Sequence, residues 1–459
     1  MRGPIVRSSN LPPASPSPPP TSHSLTLRPD WPFDVRRSPL FYGWIIWLLS
    51  TLGFLMSVPG QTMGMAVFTD PLIGALGLSR TQLSTAYFFG TVGSALFLTR
   101  GGRWFDRVGA RAVMVGASLA LGLAVLFISL IDLAAHPLAA ITGVAVGWFS
   151  FPLILLGYFG VRFSGQGLLT SASRNVLLLW FERRRGLVSG ARGIFVSLGF
   201  SLAPLGLALM IDALGWRGAL WTLAAVVGIG FAALAVLLVR DTPHACGLRP
   251  DGRPIEGGDE SHAPRVPDRT LPDAAGTPVF WIYALSLAMH ALFITAVTFH
   301  IVSVFGEVGR SRDEALAYFF PAAIVATSVN LLSSWLADRY RLKPFLILML
   351  IGFLAGTYGL MNLEHSWGFW LLVLGMGSGG GLWGLLSNLA FVRFFGVRHL
   401  GEISGLNTSI TVFASAVGPL LFSLGLDLFG AYQYAYTFCA LMVGGLLVAA
   451  IVIPQHEPR

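Results

Sequence analysis

Long apolar runs, separated by short polar gaps, follow one another from Phe41 almost to the C-terminus. A helix needs about 20 apolar residues to cross the hydrocarbon of a bilayer, and a helix satisfies its own backbone polar groups there. The pattern therefore predicts an all-α membrane protein with 12 transmembrane helices. The predicted spans are 41–66, 82–99, 112–132, 153–179, 187–210, 219–239, 279–304, 315–336, 344–362, 367–391, 402–424 and 436–453.

Polar segments divide the chain into five regions. Residues 1–40 are rich in Pro and Ser, which predicts a disordered tail. The segment 240–278 is rich in Pro, Gly and charged residues, and it separates six predicted helices from six. We therefore expect two six-helix bundles, 41–239 and 279–453, joined by the linker 240–278 and followed by a short tail at 454–459.

The stretch between the third and fourth predicted helices is too long for one span. Both flanking loops, GGRWFDRVGAR and FERRRG, are strongly basic, and basic loops face the cytoplasm. Two loops on the same side require an even number of crossings. The surplus near 133–150 is thus predicted to be an external elbow or a partial helix.

Composition and charge agree with a membrane protein. Charged residues make up only 11% of the chain, whereas soluble chains carry about 25%. The 30 basic residues do not form a basic stripe with interleaved aromatic residues, which argues against nucleic-acid binding despite the net charge of +8. Of these 30, 23 lie on one side of the predicted topology and four on the other, so both termini are expected in the cytoplasm.

The two halves of the chain repeat each other. GRWFDRVGAR, at 102–111, matches SWLADRYRLK, at 334–343, with an offset of 232 residues. RGLVSG…AP…D..GW matches LGEISG…GP…D..GA with an offset of 215 residues. The difference places 17 extra residues in the first half, where the surplus near 133–150 lies.

The first repeated loop, with Gly102, Asp106, Arg107, Gly109 and Arg111, resembles the signature loop of the major facilitator superfamily. The resemblance implies the fold of that family, two pseudo-symmetric six-helix bundles, and transport by alternating access between them. It also implies a cytoplasmic gate. The gate residues expected from both copies are Gly102, Asp106, Arg107, Gly109, Arg111, Asp338 and Arg339. The alternative is a charge cluster that only orients the chain in the membrane.

Arg162 is the most informative single residue, because it lies inside the fourth predicted span. An arginine at the bilayer centre costs about 2.5–3.5 kcal/mol and usually faces a wet interior. RFSGQG also resembles the arginine motif of proton-coupled facilitators. We expect Arg162 to line the cavity, the alternative being that it extends to the external surface. Arg174 and Arg192, near the ends of their spans, are expected to extend to lipid phosphates.

Other polar residues fall in spans that line the cavity in this family. The expected substrate or proton cavity comprises Arg162, Gln166, Gln61, His290, His300, Asn330 and Asn388. The two histidines are candidates for proton transfer, although a lone membrane histidine is also a common structural hydrogen-bonding group. Pro204 and Pro419, in equivalent spans, are expected to be helix hinges.

WFERRRGLVSGARG, DTPHACGLRPDG and GVRHLGEISG resemble the bacterial monocarboxylate and oxalate–formate branch of the family. This resemblance implies a proton-coupled transporter of a small organic anion. The alternatives are an exporter of drugs or amphipathic metabolites, and a non-transporting membrane sensor or assembly protein. No enzyme motif, catalytic residue, metal site or cofactor is expected, and the partners are a small-molecule substrate, protons and the lipid bilayer, with no nucleic acid. We expect a monomer in a bacterial inner membrane.

Overall fold

The computed structural model describes residue 28 and residues 30–252, 268–455 and 457. Within these ranges the chain forms helices, turns and loops, with no β-strand. Residues 1–27 and 29 of the tail predicted at 1–40, the middle of the linker (253–267), and residues 456, 458 and 459 lie outside the described residues.

Nine helices in the described ranges are long and apolar enough to cross a membrane, and Gly43–Met56 is a shorter apolar helix. Two of the nine are each interrupted by a glycine with non-helical backbone angles, Gly109 in Arg80–Thr142 and Gly215 in Arg185–Leu238. Division at these glycines gives 12 segments. The prediction of an all-α membrane fold is thereby confirmed.

The segments are numbered α1 to α12 in chain order. They are α1 (Gly43–Met56), α2 (80–108), α3 (110–142), α4 (Val146–Trp180), α5 (185–214), α6 (216–238), α7 (Pro278–Glu307), α8 (Phe319–Ala337), α9 (Leu342–Met361), α10 (Ser366–Phe395), α11 (Leu400–Phe429) and α12 (Gln433–Val452).

The first predicted span, and the surplus between the third and fourth spans, differ from the helices observed. The first predicted span, 41–66, is not continuous, because a 3₁₀ turn at Val58–Gly60 that contains Pro59 separates α1 from the short helix Thr62–Ala66. The surplus between the third and fourth spans forms no elbow. It lengthens α3 to Thr142 and lets α4 begin at Val146, so it is helical almost throughout.

The buried apolar side chains form two large clusters that follow the two halves of the chain. One cluster draws on residues between Val35 and Cys246, and the other, apart from Leu178, on residues between Ala274 and Ala450. A small third cluster joins them, in which Ala95 and Leu98 of α2 contact Val412 of α11. Each half therefore has its own core, and the halves are packed together where α2 contacts α11 and α5 contacts α8.

Residues 31–40, predicted to belong to a disordered tail, contain a 3₁₀ turn at Val35–Arg37 and contact the first half through a few groups. Val35 is buried, and the Phe33 ring packs edge-on against Tyr42. The Arg111 guanidinium donates to the carbonyl oxygen of Trp31 at 3.0 Å. This part of the tail prediction is corrected, because these aromatic and carbonyl groups find partners at the start of α1 (Tyr42), at the start of α3 (Arg111) and just after α6 (Arg240).

Candidate substrate site and gate

One end of the bundle carries the described ends of the chain, both ends of the linker and the loop between α2 and α3; we call it the terminal side. The other end is the opposite side. Two carboxylates on the terminal side connect the halves. Asp106 accepts hydrogen bonds from the backbone N–H groups of Gly401 and Glu402, both at 2.8 Å. Asp338 accepts from Gly186 at 2.7 Å and Leu187 at 3.0 Å.

These contacts have a common physical basis. Gly186 and Gly401 lie at the starts of α5 and α11, where backbone N–H groups have no partner within the helix and the helix dipole attracts negative charge. The two contacts are equivalent under the sequence repeat, because Asp106 corresponds to Asp338 and Gly401 to Gly186. The structure therefore brings both predicted gate aspartates to the interface between the halves.

Close backbone contact accompanies each carboxylate. A side-chain carbon on Gly102 would collide with the carbonyl oxygen of Gly401, and one on Gly186 would collide with that of Ser334. Small residues at these positions let α2 approach α11 and α5 approach α8. In the second copy of the repeat, Ser334 of α8 takes the position of Gly102. The close approach of α5 and α8 is still possible there because Gly186 of α5 has no side chain.

The other predicted gate residues are placed differently. Gly109 has φ 86° and ψ 169°, a conformation essentially restricted to glycine, and it forms the break between α2 and α3. Arg111 does not reach the second half, because its side chain donates to Val236 and Trp31 within the first half. Arg107 and Arg339 are exposed, and Arg339 lies 4.2 Å over the ring of Trp335.

One gate contact was not predicted from sequence. Arg103 forms an ion pair with Glu402, across the same α2–α11 contact. Glu402 also supplies one of the N–H groups that Asp106 accepts. One feature of the sequence indicated that Arg103 could belong to the gate, namely its position within the repeated signature loop.

Burial raises the pKa of the Asp338 carboxyl above its ordinary value, and the N–H groups of Leu187 and Gly186 oppose this shift. The charge of Arg393, whose Nη2 lies 3.9 Å from Asp338 Oδ1, also opposes the shift, and the weaker effect of the Asp251 charge adds to it. Burial is the larger effect, so the Asp338 carboxyl at this contact holds a proton more readily than a carboxyl in water does.

Arg192 of α5 lies at the interface between the halves and is only 3% exposed. It donates to Asn388 Oδ1 of α10 at 2.8 Å and to Ser50 Oγ of α1 at 3.3 Å, and its guanidinium lies 4.5 Å from the centre of the Phe54 ring. The expectation that Arg192 extends to lipid phosphates is therefore wrong. Its partners lie inside the bundle.

Arg174 of α4 is the second arginine at the interface. It is half-buried and donates to Thr408 Oγ1 of α11 at 3.3 Å. Ser50 links Arg192 to the backbone of α4 beside Arg174, because it accepts from Arg192 and donates to the carbonyl oxygen of Ser173 at 2.6 Å. Arg174 also does not extend to lipid phosphates, contrary to expectation.

Arg162 is 4% exposed and lies within the first half. It donates to the carbonyl oxygen of Gly60 at 3.1 Å and to Thr62 Oγ1 at 3.4 Å, and its guanidinium lies 5.3 Å from the centre of the Tyr87 ring. It does not extend to the external surface. It begins a π-helical segment, Arg162–Leu169, of the kind that often occurs at functional sites.

The remaining predicted cavity residues form separate groups. Asn388 contacts Arg192, whereas Asn330 donates to the carbonyl oxygen of Gly381 at 2.8 Å within its own half. Gln61 donates to Ser57 Oγ at 3.0 Å within the first half. Gln166, one turn from Arg162, has a buried Oε1 without a hydrogen-bond donor in the described residues.

The two predicted histidines lie apart from the arginines. His290 is 4% exposed, stacks on Trp383, and has a buried Nδ1 without a partner among the described residues. The His300 Nε2 lies 3.0 Å from the carbonyl oxygen of Pro419 in α11. Pro419 and Pro204 both lie inside long helices, as predicted, and their role as hinges remains a prediction.

Every hydrogen bond that the described residues make between the two halves lies in the terminal part of the spans. Besides the contacts of Asp106, Asp338, Arg174 and Arg192, the set includes Asn175 with Ser404 at 3.0 Å, Thr99 with Ser409 at 3.4 Å, and the Arg103 pair with Glu402. In this conformation the halves are joined on the terminal side.

Comparison with known proteins identifies the family. The family model of the Major Facilitator Superfamily matches residues 49–411 and, in a second match, residues 317–459. The chain therefore belongs to the Major Facilitator Superfamily. Members of this family are transporters, so the chain is a membrane transporter of small molecules and is not an enzyme.

Individual relatives are distant. An uncharacterized MFS-type transporter, YxiO, of Bacillus subtilis (strain 168) is 25% identical over 172 residues, 35% of this chain and 40% of that protein. A probable hexose phosphate transport protein of Chlamydia pneumoniae is 21% identical over 360 residues, 73% of this chain and 68% of that protein. The solved proton:xylose symporter XylE, bound to 6-bromo-6-deoxy-D-glucose, has a TM-score of 0.66 at 16% identity, covering 91% of this chain and 97% of that one. The last similarity concerns the fold.

Proposed function

We propose that this transporter moves a small organic anion, together with protons, across a bacterial inner membrane by alternating access. The observation that carries the proposal is a set of three arginines at membrane depth, Arg162, Arg174 and Arg192. Within the described residues, their hydrogen bonds all go to neutral oxygen atoms. A guanidinium keeps its charge, and a buried charge without a counterion is unfavourable. A negatively charged substrate supplies the missing counterion.

Arg192 and Arg174 are better placed for this role than Arg162. They lie between the halves, where their partners Asn388 and Thr408 come from the second half. A substrate bound there contacts both halves and is exposed to either side as the halves rock. Arg162 bonds only within the first half, so we assign it to the wall of that half.

The Chlamydia pneumoniae relative supports an anionic substrate. Its name describes a probable hexose phosphate transport protein, and a hexose phosphate is an organic anion. The match covers most of both chains. The relation to monocarboxylate and oxalate–formate transporters, inferred from the sequence motifs, points to the same charge class.

His290 is our candidate for proton coupling. An imidazole is the side chain that exchanges protons most readily near neutral pH. His290 is buried beside the glycine-rich face of α10, where a side-chain carbon on Gly379 would lie 3.3 Å from its Cε1. Its Nδ1, which has no partner among the residues that the structure describes, can take up a proton when an anion brings negative charge into the bundle.

We assign the terminal side to the cytoplasm because it carries the basic loops. In this assignment the transporter is closed toward the cytoplasm, and the substrate enters from outside. Opening toward the cytoplasm then requires that the Asp106 and Asp338 contacts break. These residues and the glycines beside them form the proposed cytoplasmic gate.

The test is uptake of labelled lactate, pyruvate, oxalate and glycerol 3-phosphate into proteoliposomes, with and without a pH gradient. Arg192→Gln removes a charge-assisted hydrogen bond and is expected to reduce uptake about 10- to 100-fold. Arg80→Gln is the matched control, because Arg80 is exposed on the opposite side and pairs with Asp70.

The proposal fails if Arg192→Gln and Arg80→Gln transport every anion as the wild type does. Proton coupling is tested separately with His290→Gln. This variant is expected to keep exchange of anions between the two sides while losing the response to the pH gradient. Unchanged acceleration by the gradient would rule out His290 as the coupling group.

A further inference from the structure

In this conformation the two interface arginines donate hydrogen bonds to neutral groups of the second half. Asn388 Oδ1 accepts from Arg192 at 2.8 Å, and Thr408 Oγ1 accepts from Arg174 at 3.3 Å. Asn388 Nδ2 donates to the carbonyl oxygen of Gly384 at 2.6 Å, and the Thr408 hydroxyl donates to that of Ser404 at 2.8 Å. Both acceptor oxygens are therefore held toward the arginines by bonds to their own helices.

We propose that Asn388 and Thr408 are placeholders for the substrate: they accept from the guanidinium groups that the anion takes over, so binding of the anion releases two contacts between the halves. This inference rests on the proposed function and assigns a role to residues of the second half. A carboxylate or phosphate oxygen forms bonds to a guanidinium that are about twice as strong as those of a neutral amide. The anion therefore displaces the placeholder.

The exchange connects binding with movement. While Asn388 holds Arg192, the halves are joined beside the proposed gate. When the anion binds Arg192, the direct hydrogen bond between Arg192 and Asn388 is lost, and the substrate lies between the two halves at this point. Less free energy is then needed to separate the halves on the terminal side. Asn388 and Thr408 are thus positioning residues, which act through the arginines and determine whether an empty site stays closed.

Two substitutions of Asn388 have opposite expected effects. Asn388→Leu removes the competing oxygen at nearly constant volume, so the anion is expected to bind about fivefold more tightly. Asn388→Asp places a permanent counterion beside Arg192, so anion binding is expected to weaken about tenfold or more. A residue that only maintains the packing would weaken binding, or leave it unchanged, in both variants.

The experiment measures binding of labelled oxalate and glycerol 3-phosphate to the full chain in nanodiscs. Asn362→Leu and Asn362→Asp are the matched controls, because Asn362 lies at the end of α9 and donates to the carbonyl oxygen of Tyr358 in its own helix. Arg192→Gln reports on the proposed function separately. Thr408→Val tests the second placeholder with the same sign as Asn388→Leu.

Tighter binding by Asn388→Leu and weaker binding by Asn388→Asp support the placeholder role. If both variants shift affinity in the same direction, or neither does, while Arg192→Gln loses binding, the placeholder inference is overturned and the proposed function stands. If the wild type binds neither anion, or Arg192→Gln binds like the wild type, both are overturned.

A second inference comes from the linker, independently of the substrate. Asp251 Oδ2 accepts from the backbone N–H groups of Glu182 and Arg183, at 3.2 and 2.8 Å. Asp268 Oδ1 accepts from those of Val397 and Arg398, at 3.0 and 3.1 Å. The two acceptor pairs are equivalent, because 182–183 and 397–398 differ by the repeat offset of 215 residues. Each end of the linker therefore binds the same loop of its own half.

Each of these loops also receives a gate carboxylate four residues further on. The loop before α5 binds Asp251 at its start and Asp338 at Gly186, and the loop before α11 binds Asp268 at its start and Asp106 at Gly401. One carboxylate comes from the same half and the other from the opposite half. We infer that the linker aspartates hold both loops in the shape that the gate requires.

Backbone geometry supports this inference. The chain enters the loop before α11 at Gly396, with φ 83°, where a side-chain carbon would collide with the Asp268 carboxylate. Asp251 has φ 60°, a left-handed conformation that is uncommon for residues other than glycine. Both linker contacts are therefore built from backbone conformations that few sequences adopt.

Spin-label distances across the terminal side test the linker inference. Trp104 at the end of α2 and Tyr340 after α8 are 50% and 60% exposed, and the native Cys246 and Cys439 are buried, so cysteines at 104 and 340 can be labelled selectively. Asp251→Ala and Asp268→Ala are each expected to lower the ratio of closed to open molecules about fivefold. Asp273→Ala is the control, because Asp273 bonds only to Thr270 among the described residues.

A retained melting temperature separates loss of closure from loss of folding. The inference is overturned if both linker variants give the wild-type distance distribution while Asp106→Ala shifts it. It is also overturned if Asp273→Ala shifts the distribution as far as Asp268→Ala does.

Discussion

Replacement of Asp106 by alanine is the most direct test of the proposed gate. The wild-type carboxylate accepts two backbone N–H groups at the start of α11, both at 2.8 Å. Asp106→Ala leaves these donors without an acceptor in the closed conformation, whereas water satisfies them in the open one. The substitution therefore acts on the difference between the two conformations.

The magnitude follows from the two bonds. A hydrogen bond to a charged group contributes about 1.5–3 kcal/mol, and the interaction with the start of a helix adds about 0.3–1 kcal/mol. Asp106 is half-buried, so water replaces part of this interaction in the variant. We expect a net loss of about 2 kcal/mol for the closed state, which lowers the ratio of closed to open molecules about 30-fold.

The assay is the distance distribution between spin labels at 104 and 340. Asp106→Ala is expected to move most of the population to the longer distance, and Asp106→Asn, which keeps one acceptor oxygen, to give an intermediate result. Asp70→Ala, an exposed aspartate on the opposite side, should leave the distribution unchanged. A wild-type distribution for Asp106→Ala would refute the assignment of this contact as a gate.

Three further predictions concern the same side of the molecule. Gly102→Ala forces α2 away from the Gly401 carbonyl and should slow transport about tenfold or more, measured as initial uptake rate in proteoliposomes. Burial raises the pKa of the Asp338 carboxyl, so protonation of this group favours the closed conformation. The closed fraction should therefore be largest below the ordinary carboxyl pKa of 3.8 and should fall as pH rises through the raised value. Asp338→Asn should flatten this profile of label distance against pH. Arg111→Ala removes buried bonds to Val236 and Trp31 within the first half, so the melting temperature should fall by a few degrees while the label distances stay unchanged.

Wild-type uptake in Gly102→Ala would show that the close approach of α2 and α11 is not needed for transport. A profile for Asp338→Asn as steep as that of the wild type would assign the pH response to another group. A shift in label distance in Arg111→Ala would return Arg111 to the gate.

The sequence by itself determined the architecture. Apolar runs of span length require helices in lipid, and the repeat offsets relate the two halves residue by residue. The same repeat identified Asp106 and Asp338, because a short polar motif that recurs between long apolar helices leaves few structural explanations. Gly109 was predictable for a local reason, since a tight turn with positive φ favours glycine.

Only the tertiary structure decided which polar side chains meet. Arg162 was expected to be central from its depth, yet it bonds within the first half, whereas Arg174 and Arg192, expected to extend to lipid, lie between the halves. Depth along a helix can be read from sequence, but the direction of a side chain depends on how each helix is rotated against its neighbours. In a bundle that is apolar on almost every side, helical periodicity carries little information about that rotation.

The linker contacts show the same limit. Asp251 and Asp268 lie in a polar segment whose composition predicts a linker, and nothing in that composition marks two aspartates as partners of distant loops. Their role depends on backbone N–H groups, which every residue except proline has and which sequence therefore cannot distinguish. The sequence thus determines the helices and their repeat, and the packing of the two halves determines which charges are exposed, paired or available to a substrate.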